Sequence, residues 1–160
     1  MDDTAVTSAP AAPDEKKPRL SGVHILWTED DIFLRDLMAA KLAQEGAISF
    51  YAQNGDECLE ILGKPETGVP DIILLDLILP GMSGFDLLTR LRENPALARV
   101  PIIVLSNLGQ QEDVEKTKWL GASKHLVKAE TDPDGIVENI VSVLREARAA
   151  ASTQPAPIPA

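Results

Sequence analysis

Cysteine, cationic side chains and long apolar runs are all scarce in this chain, and each scarcity removes a class of protein. A single cysteine, Cys58, leaves no intramolecular disulfide framework, and a thiol kept reduced fits the cytosol. Lys and Arg number 15 against 25 Asp and Glu, a formal net charge of -10 with a pI near 4.6. That field repels nucleic acid and disfavours an anionic membrane surface. Apolar runs fall far short of the roughly 20 residues that span a bilayer. The acidic start Met1-Asp2-Asp3, with no apolar segment before Leu20, lacks the pattern of a signal peptide. The expectation is a cytoplasmic protein with no direct nucleic-acid or membrane partner.

What is present suits one core. The chain has 160 residues, 44% of them hydrophobic, enough for a single full-sized domain. Residues 1–19 are rich in Ala, Pro, Ser, Thr and charge without apolar periodicity, and read as a disordered tail. Residues 150–160, with three prolines, read as a flexible Pro/Ala-rich tail unable to continue a helix. The globular domain is then 20–149.

Within it, short apolar runs alternate with helical patterns. Val23–Trp27, Ile48–Ala52, Asp71–Leu75, Val100–Leu105 and Ser123–Val127 have the length and composition of strands. Between and after them, Leu34-Leu37-Met38-Leu42, Cys58-Leu59-Leu62, Phe85-Leu88-Leu91, Val114-Lys118 and Ile136-Ile140-Leu144 carry helical spacing. Asn54 with Glu57 predicts a helix cap, Asp132-Pro133 another, and Gly46 and Gly121 predict left-handed stops. Five such units demand right-handed crossovers, hence an α/β fold: a doubly wound five-stranded parallel sheet with helices on both faces.

The most hydrophobic stretch, Ile72-Ile73-Leu74-Leu75, ends on Asp76 and runs into Leu77-Ile78-Leu79-Pro80-Gly81. Such a run reads as a central strand, and the carboxyl ends of strands are where open α/β sheets bind ligands. The first strand ends in Trp27-Thr28-Glu29-Asp30-Asp31. If these two strands are neighbours, three or more carboxylates share a crevice and repel one another unless a cation intervenes. Oxygen donors alone, with positions left for water and phosphate, suit Mg²⁺. Asp30 or Asp31 could equally cap the next helix. The fourth strand ends in Ser106-Asn107 and the fifth runs into Lys128, which adds a hydroxyl and an ammonium to the same edge.

These segments resemble the receiver domains of two-component response regulators, most closely the stand-alone chemotaxis-type members. The carriers are His24-Ile25-Leu26-Trp27-Thr28-Glu29-Asp30-Asp31, then Ile73-Leu74-Leu75-Asp76 through Gly84, then Ile102-Ile103-Val104-Leu105-Ser106, and Gly121-Ala122-Ser123-Lys124-His125-Leu126-Val127-Lys128. The resemblance implies a (βα)5 flavodoxin-like topology with strand order 2-1-3-4-5. It makes Asp76 the phosphoacceptor, Glu29 and Asp30 a metal-binding pair for Mg²⁺, and the Ile78 carbonyl a further ligand. Ser106 and Lys128 would meet phosphoryl oxygens. A sensor histidine kinase or histidine phosphotransfer protein would be the donor, and an unidentified downstream protein the target. Whether phosphorylation produces a dimer is left open. Such a protein is not an enzyme beyond its own phosphotransfer and self-dephosphorylation. With no output domain visible after the fifth helix, its output would lie in another protein.

Departures from the family pattern carry their own expectations. His125 stands where a Tyr or Phe ring usually turns inward as Ser106 moves, and it is either a switch with Ser106 or an edge-strand residue without that role. Ala129 replaces the usual proline after Lys128, so a trans bond and an altered loop start are expected. Ile78 and Leu108 occupy the positions that set phosphoryl lifetime, and neither orients water, which predicts slow self-dephosphorylation. Trp27 is expected in the core, and Cys58 to be an inert buried thiol. Trp119 either packs on the fifth strand or anchors a partner. The alternative function is a receiver-like interaction module that works without phosphorylation.

Overall fold

The computed structural model describes residues 17–153. Five strands, β1 (His24–Thr28), β2 (Ile48–Ala52), β3 (Ile72–Leu75), β4 (Ile102–Ser106) and β5 (Lys124–Val127), alternate with five helices. These are α1 (Ile32–Gln44), α2 (Gly55–Leu62), α3 (Gly84–Glu93), α4 (Gln111–Trp119) and α5 (Pro133–Thr153). The sheet is parallel in the order β2-β1-β3-β4-β5, as a doubly wound fold requires. β3 and β4 are buried along their whole length, which is why both read as continuous apolar runs rather than alternating ones.

Alternation along each strand feeds two cores. Ile25, Trp27, Ile72, Leu74, Ile103 and Leu105 meet Met38 and Leu42 of α1 and Ile136, Val137 and Ile140 of α5. Leu26, Ile73, Leu75, Ile102 and Val104 face Cys58 of α2 and Leu87, Leu88 and Leu91 of α3. α4 adds little to either: Thr117 is its one buried residue, and no side chain caps its first turn.

Helix ends follow local chemistry. Asn54 Oδ1 accepts from the Glu57 amide at 2.8 Å, and Asp132 Oδ1 from the Gly135 amide at 2.7 Å. After α1, Gly46 turns at φ 81, and after α4, Gly121 at φ 102, conformations open to glycine at little cost. Among the described residues no helix is long and apolar enough to cross a membrane.

The tails expected at 1–19 and 150–160 lie mostly outside the described residues, and both boundaries move where the chain is described. Arg19, assigned above to the tail, donates to Glu45 Oε1 at 2.7 Å and Asp134 Oδ1 at 2.6 Å, and its amide reaches Glu45 Oε2 at 2.9 Å. Charge pairing therefore holds this segment against α1 and α5 without apolar periodicity. At the other end α5 continues through Thr153, because the alanine-rich stretch around Ala147–Ala151 favours helix and no proline intervenes before Pro155.

Candidate functional site

The sheet brings the carboxyl ends of β1, β3, β4 and β5 to one edge. Asp76 follows β3, and its amide donates to the Thr28 carbonyl at 3.2 Å, continuing the ladder one residue past the strand. The Ile78 amide then donates to Asp76 Oδ1 at 3.1 Å, which fixes the carboxylate and leaves Oδ2 toward Lys128. Gly84 at the start of α3 lies under this turn, since a Cβ there would overlap the Asp76 carbonyl and the Leu77 Cα. Sequence reasoning assigned no role to Gly84; its place in the Pro80-Gly81-Met82-Ser83-Gly84 turn was the available signal.

Glu29 follows β1 and is 1% exposed. Its Oε1 accepts from the Asp31 amide at 3.2 Å, while Oε2 lies 2.7 Å from Lys128 Nζ. The same ammonium lies 2.6 Å from Asp76 Oδ2. Carboxylate oxygens of Glu29, Asp30 and Asp76 all fall within 4.8 Å of one another. Between the two candidates for the helix cap, Asp31 takes that role: its Oδ1 accepts from the Phe33 and Leu34 amides, leaving Asp30 to the acidic cluster.

Three carboxylates against one ammonium leave the cluster net negative. Burial lifts the Glu29 carboxyl above the usual carboxylate range, against the lowering pull of Lys128. Burial works against the charge on Lys128, and Asp76 and Glu29 more than offset it, so its pKa rises. An all-oxygen, anionic donor set with one exposed member suits a hard divalent cation such as Mg²⁺.

Lys128 reaches both carboxylates although it begins a short 3₁₀ turn, Lys128–Glu130, instead of extending β5. No peptide bond among the described residues is cis, so Lys128–Ala129 is trans as expected. Ser106 ends β4 fully buried, its Oγ accepting from the Leu108 amide at 3.3 Å. The Leu108 side chain packs on the α2–α3 side of the core, whereas Ile78 is 58% exposed beside Asp76. His125 is held at both ring nitrogens: Nε2 lies 2.7 Å from the Leu108 carbonyl and Nδ1 3.0 Å from Thr117 Oγ1. Thr117 was not singled out from sequence, since a lone threonine in a polar helix carries no pattern.

Ile32 and Phe33, in the first turn of α1 directly after Glu29-Asp30-Asp31, and Ile78, two residues after Asp76, are exposed apolar side chains. Trp27 is fully buried, and Trp119 is 86% exposed, so it does not pack on β5. Burial pushes the Cys58 thiol up to about 11, in keeping with an inert core residue.

A family model, the response regulator receiver domain, matches residues 25–141. The chain therefore belongs to the receiver domains of two-component response regulators. Among curated relatives it is 34% identical over 104 residues to the sporulation initiation phosphotransferase F of Bacillus subtilis, covering 65% of this chain and 80% of that one. It is 32% identical over 130 residues to a gliding motility regulatory protein of Myxococcus xanthus, covering 81% of this chain but 16% of that protein. With the phosphate regulon transcriptional regulatory protein PhoB of Rhizobium meliloti it shares 33% identity over 124 residues, 78% of this chain and 53% of the regulator. Several relatives are thus much longer than the segment matched.

Solved structures agree on the fold. The chemotaxis response regulator CheY4 of Vibrio cholerae superposes with a TM-score of 0.69 at 25% identity, covering 77% of this chain and 99% of that one. The beryllofluoride-activated receiver domain of Klebsiella pneumoniae RstA gives 0.68 at 29% identity, covering 76% and 98%.

Proposed function

We propose that this protein accepts a phosphoryl group on Asp76 from a phosphohistidine of a sensor kinase or phosphotransfer protein and signals by contact with another protein. The observation that carries this reading is the bridge of Lys128 Nζ to Asp76 at 2.6 Å and Glu29 at 2.7 Å, with Asp30 beside them. In the transfer a carboxylate oxygen of Asp76 bonds to phosphorus as the donor's P–N bond breaks. The imidazole leaves with the electron pair and takes up a proton.

Phosphoryl transfer needs charge neutralisation and alignment more than covalent assistance. Lys128 offsets charge on the phosphoryl oxygens, and the Ile78 amide keeps Asp76 oriented. Ser106 donates its hydroxyl to a further oxygen. Glu29, Asp30 and Asp76, with the Ile78 carbonyl, would hold Mg²⁺, which supplies additional neutralisation. The exposed side chains of Ile32, Phe33 and Ile78, close in sequence to the acidic residues, offer an apolar seat for the donor.

Two relatives support the assignment by what their names say: one is a phosphotransferase, another is activated by beryllofluoride. Ile78 and Leu108 leave no polar side chain at their positions to orient water, so the phosphoryl group persists for many minutes to hours. The same reading places the protein in the cytoplasm, where donor kinases present their phosphohistidine.

Incubation with acetyl phosphate and Mg²⁺, followed by intact mass, tests the proposal. A single phosphoryl adduct that needs Mg²⁺ and vanishes in Asp76→Asn is expected. No adduct on the wild-type chain would refute it and favour an interaction module independent of phosphorylation.

A further inference from the structure

The residue on β5 that a ring switch would require to turn is pinned instead. Leu108 uses both of its backbone polar groups: its amide donates to Ser106 Oγ at 3.3 Å, and its carbonyl lies 2.7 Å from His125 Nε2. A carbonyl only accepts, so Nε2 carries the hydrogen. His125 Nδ1 faces Thr117 Oγ1 at 3.0 Å, and that hydroxyl also lies 2.9 Å from the Val114 carbonyl. Ser106 Oγ accepts from Leu108, and its own hydrogen makes no hydrogen bond among the described residues.

We infer that His125 and Thr117 are positioning residues for the Ser106 hydroxyl, forming a fixed brace from α4 through β5 to the loop after β4. The inference rests on Asp76 being the phosphoacceptor and Ser106 a phosphoryl donor group. Thr117 is the one buried side chain of α4, so the brace also ties that helix to the sheet. Its logic is preorganisation: a hydroxyl held in place before the phosphoryl group arrives need not be ordered afterwards. A turning aromatic ring would do the opposite, moving only once Ser106 had moved.

Equilibrium titration of the full chain with beryllofluoride and Mg²⁺, read by amide spectra, tests the brace. Variants are His125→Phe, Thr117→Val and Thr117→Ser. The Phe and Val variants lose hydrogen bonds while keeping similar bulk, and should bind beryllofluoride about three- to tenfold more weakly, the equivalent of one hydrogen bond. Their Mg²⁺ affinity in the absence of beryllofluoride should not change, and Thr117→Ser, which keeps the hydroxyl, should match wild type. The wild-type ring nitrogens should hold the same shifts with and without beryllofluoride. If His125→Phe does not fold, the two Thr117 variants carry the comparison.

Wild-type affinity in Thr117→Val overturns the brace, as does equal weakening of Mg²⁺ binding, or Thr117→Ser behaving like the Val variant. Ring nitrogens that shift on binding would make His125 a moving switch and also overturn it. Failure of the wild-type chain to bind beryllofluoride would instead overturn the phosphoacceptor reading beneath it.

Discussion

Replacing Lys128 with methionine removes the ammonium that lies between two buried carboxylates and keeps most of the stem's bulk. Side-chain exposure is 15% for Lys128, 7% for Asp76 and 1% for Glu29, so little solvent replaces the lost charge. At the outer separation of 4.8 Å, two like charges at an effective dielectric near 20 repel by ~3.5 kcal/mol. Breaking a buried pair falls in the same range, ~3–5 kcal/mol, which makes ~3 kcal/mol the expected loss at neutral pH. Proton uptake limits it. The folded pKa of Glu29 already lies above its ordinary value, so stability from its neutral form is present below that ordinary value and is lost as pH rises through the folded one. Without Lys128 the folded value rises further. The variant should approach wild type near about pH 5 and fall increasingly behind toward about pH 8. Urea unfolding across that range measures it, with a Tm deficit of ~6–12 °C at the alkaline end. Added Mg²⁺ should recover much of the deficit. A loss under ~1 kcal/mol that does not vary with pH would refute the picture of desolvated, mutually repelling carboxylates.

Glu45, held by Arg19 at about 2 instead of 4.5, gives stability that is full above about 4.5 and lost as pH falls toward about 2. The shift sets an upper bound of ~3 kcal/mol, reduced to ~1–2 by screening at the partly exposed Arg19, so Glu45→Gln should show that deficit at neutral pH and lose it in acid unfolding. Ile78→Asn should shorten the phosphoprotein's lifetime by about tenfold in a decay assay, because an exposed amide beside Asp76 can orient water. Leu108→Asn should register mainly as lost stability, its side chain being packed on the core. Gly84→Ala should cost ~3 kcal/mol in urea unfolding and lower phosphorylation by acetyl phosphate, since the new methyl meets the Asp76 carbonyl and the Leu77 backbone.

Apolar periodicity made the five strand–helix units readable, and the buried run before Asp76 disclosed the acidic edge of the sheet, because a central parallel strand cannot be disguised. Strand ends moved by a residue or two: β1 extends to Thr28 and β4 to Ser106, since ladder bonds continue past the apolar run. Residue type alone left Asp30 and Asp31 interchangeable; the resemblance chose Asp30 for the acidic pair, and in the structure the helix amides claim Asp31. Arg19 was invisible because its partners are 26 and 115 residues away. Ala150–Thr153 were given to the tail by weighing the prolines ahead of the alanines. Thr117 and His125 meet only because α4 packs beside β5, a contact no local pattern encodes.

The two tryptophans divide the molecule optically. Trp27 of β1 is sealed in the core against α1 and α5, and Trp119 stands 86% exposed at the end of the helix that Thr117 holds to the sheet. A collisional quencher such as acrylamide therefore reads one indole and spares the other. Quenching of Trp119 reports on α4 while Trp27 serves as an internal unquenched reference, so the unlabelled chain carries its own gauge of whether that helix stirs when the acidic edge is loaded.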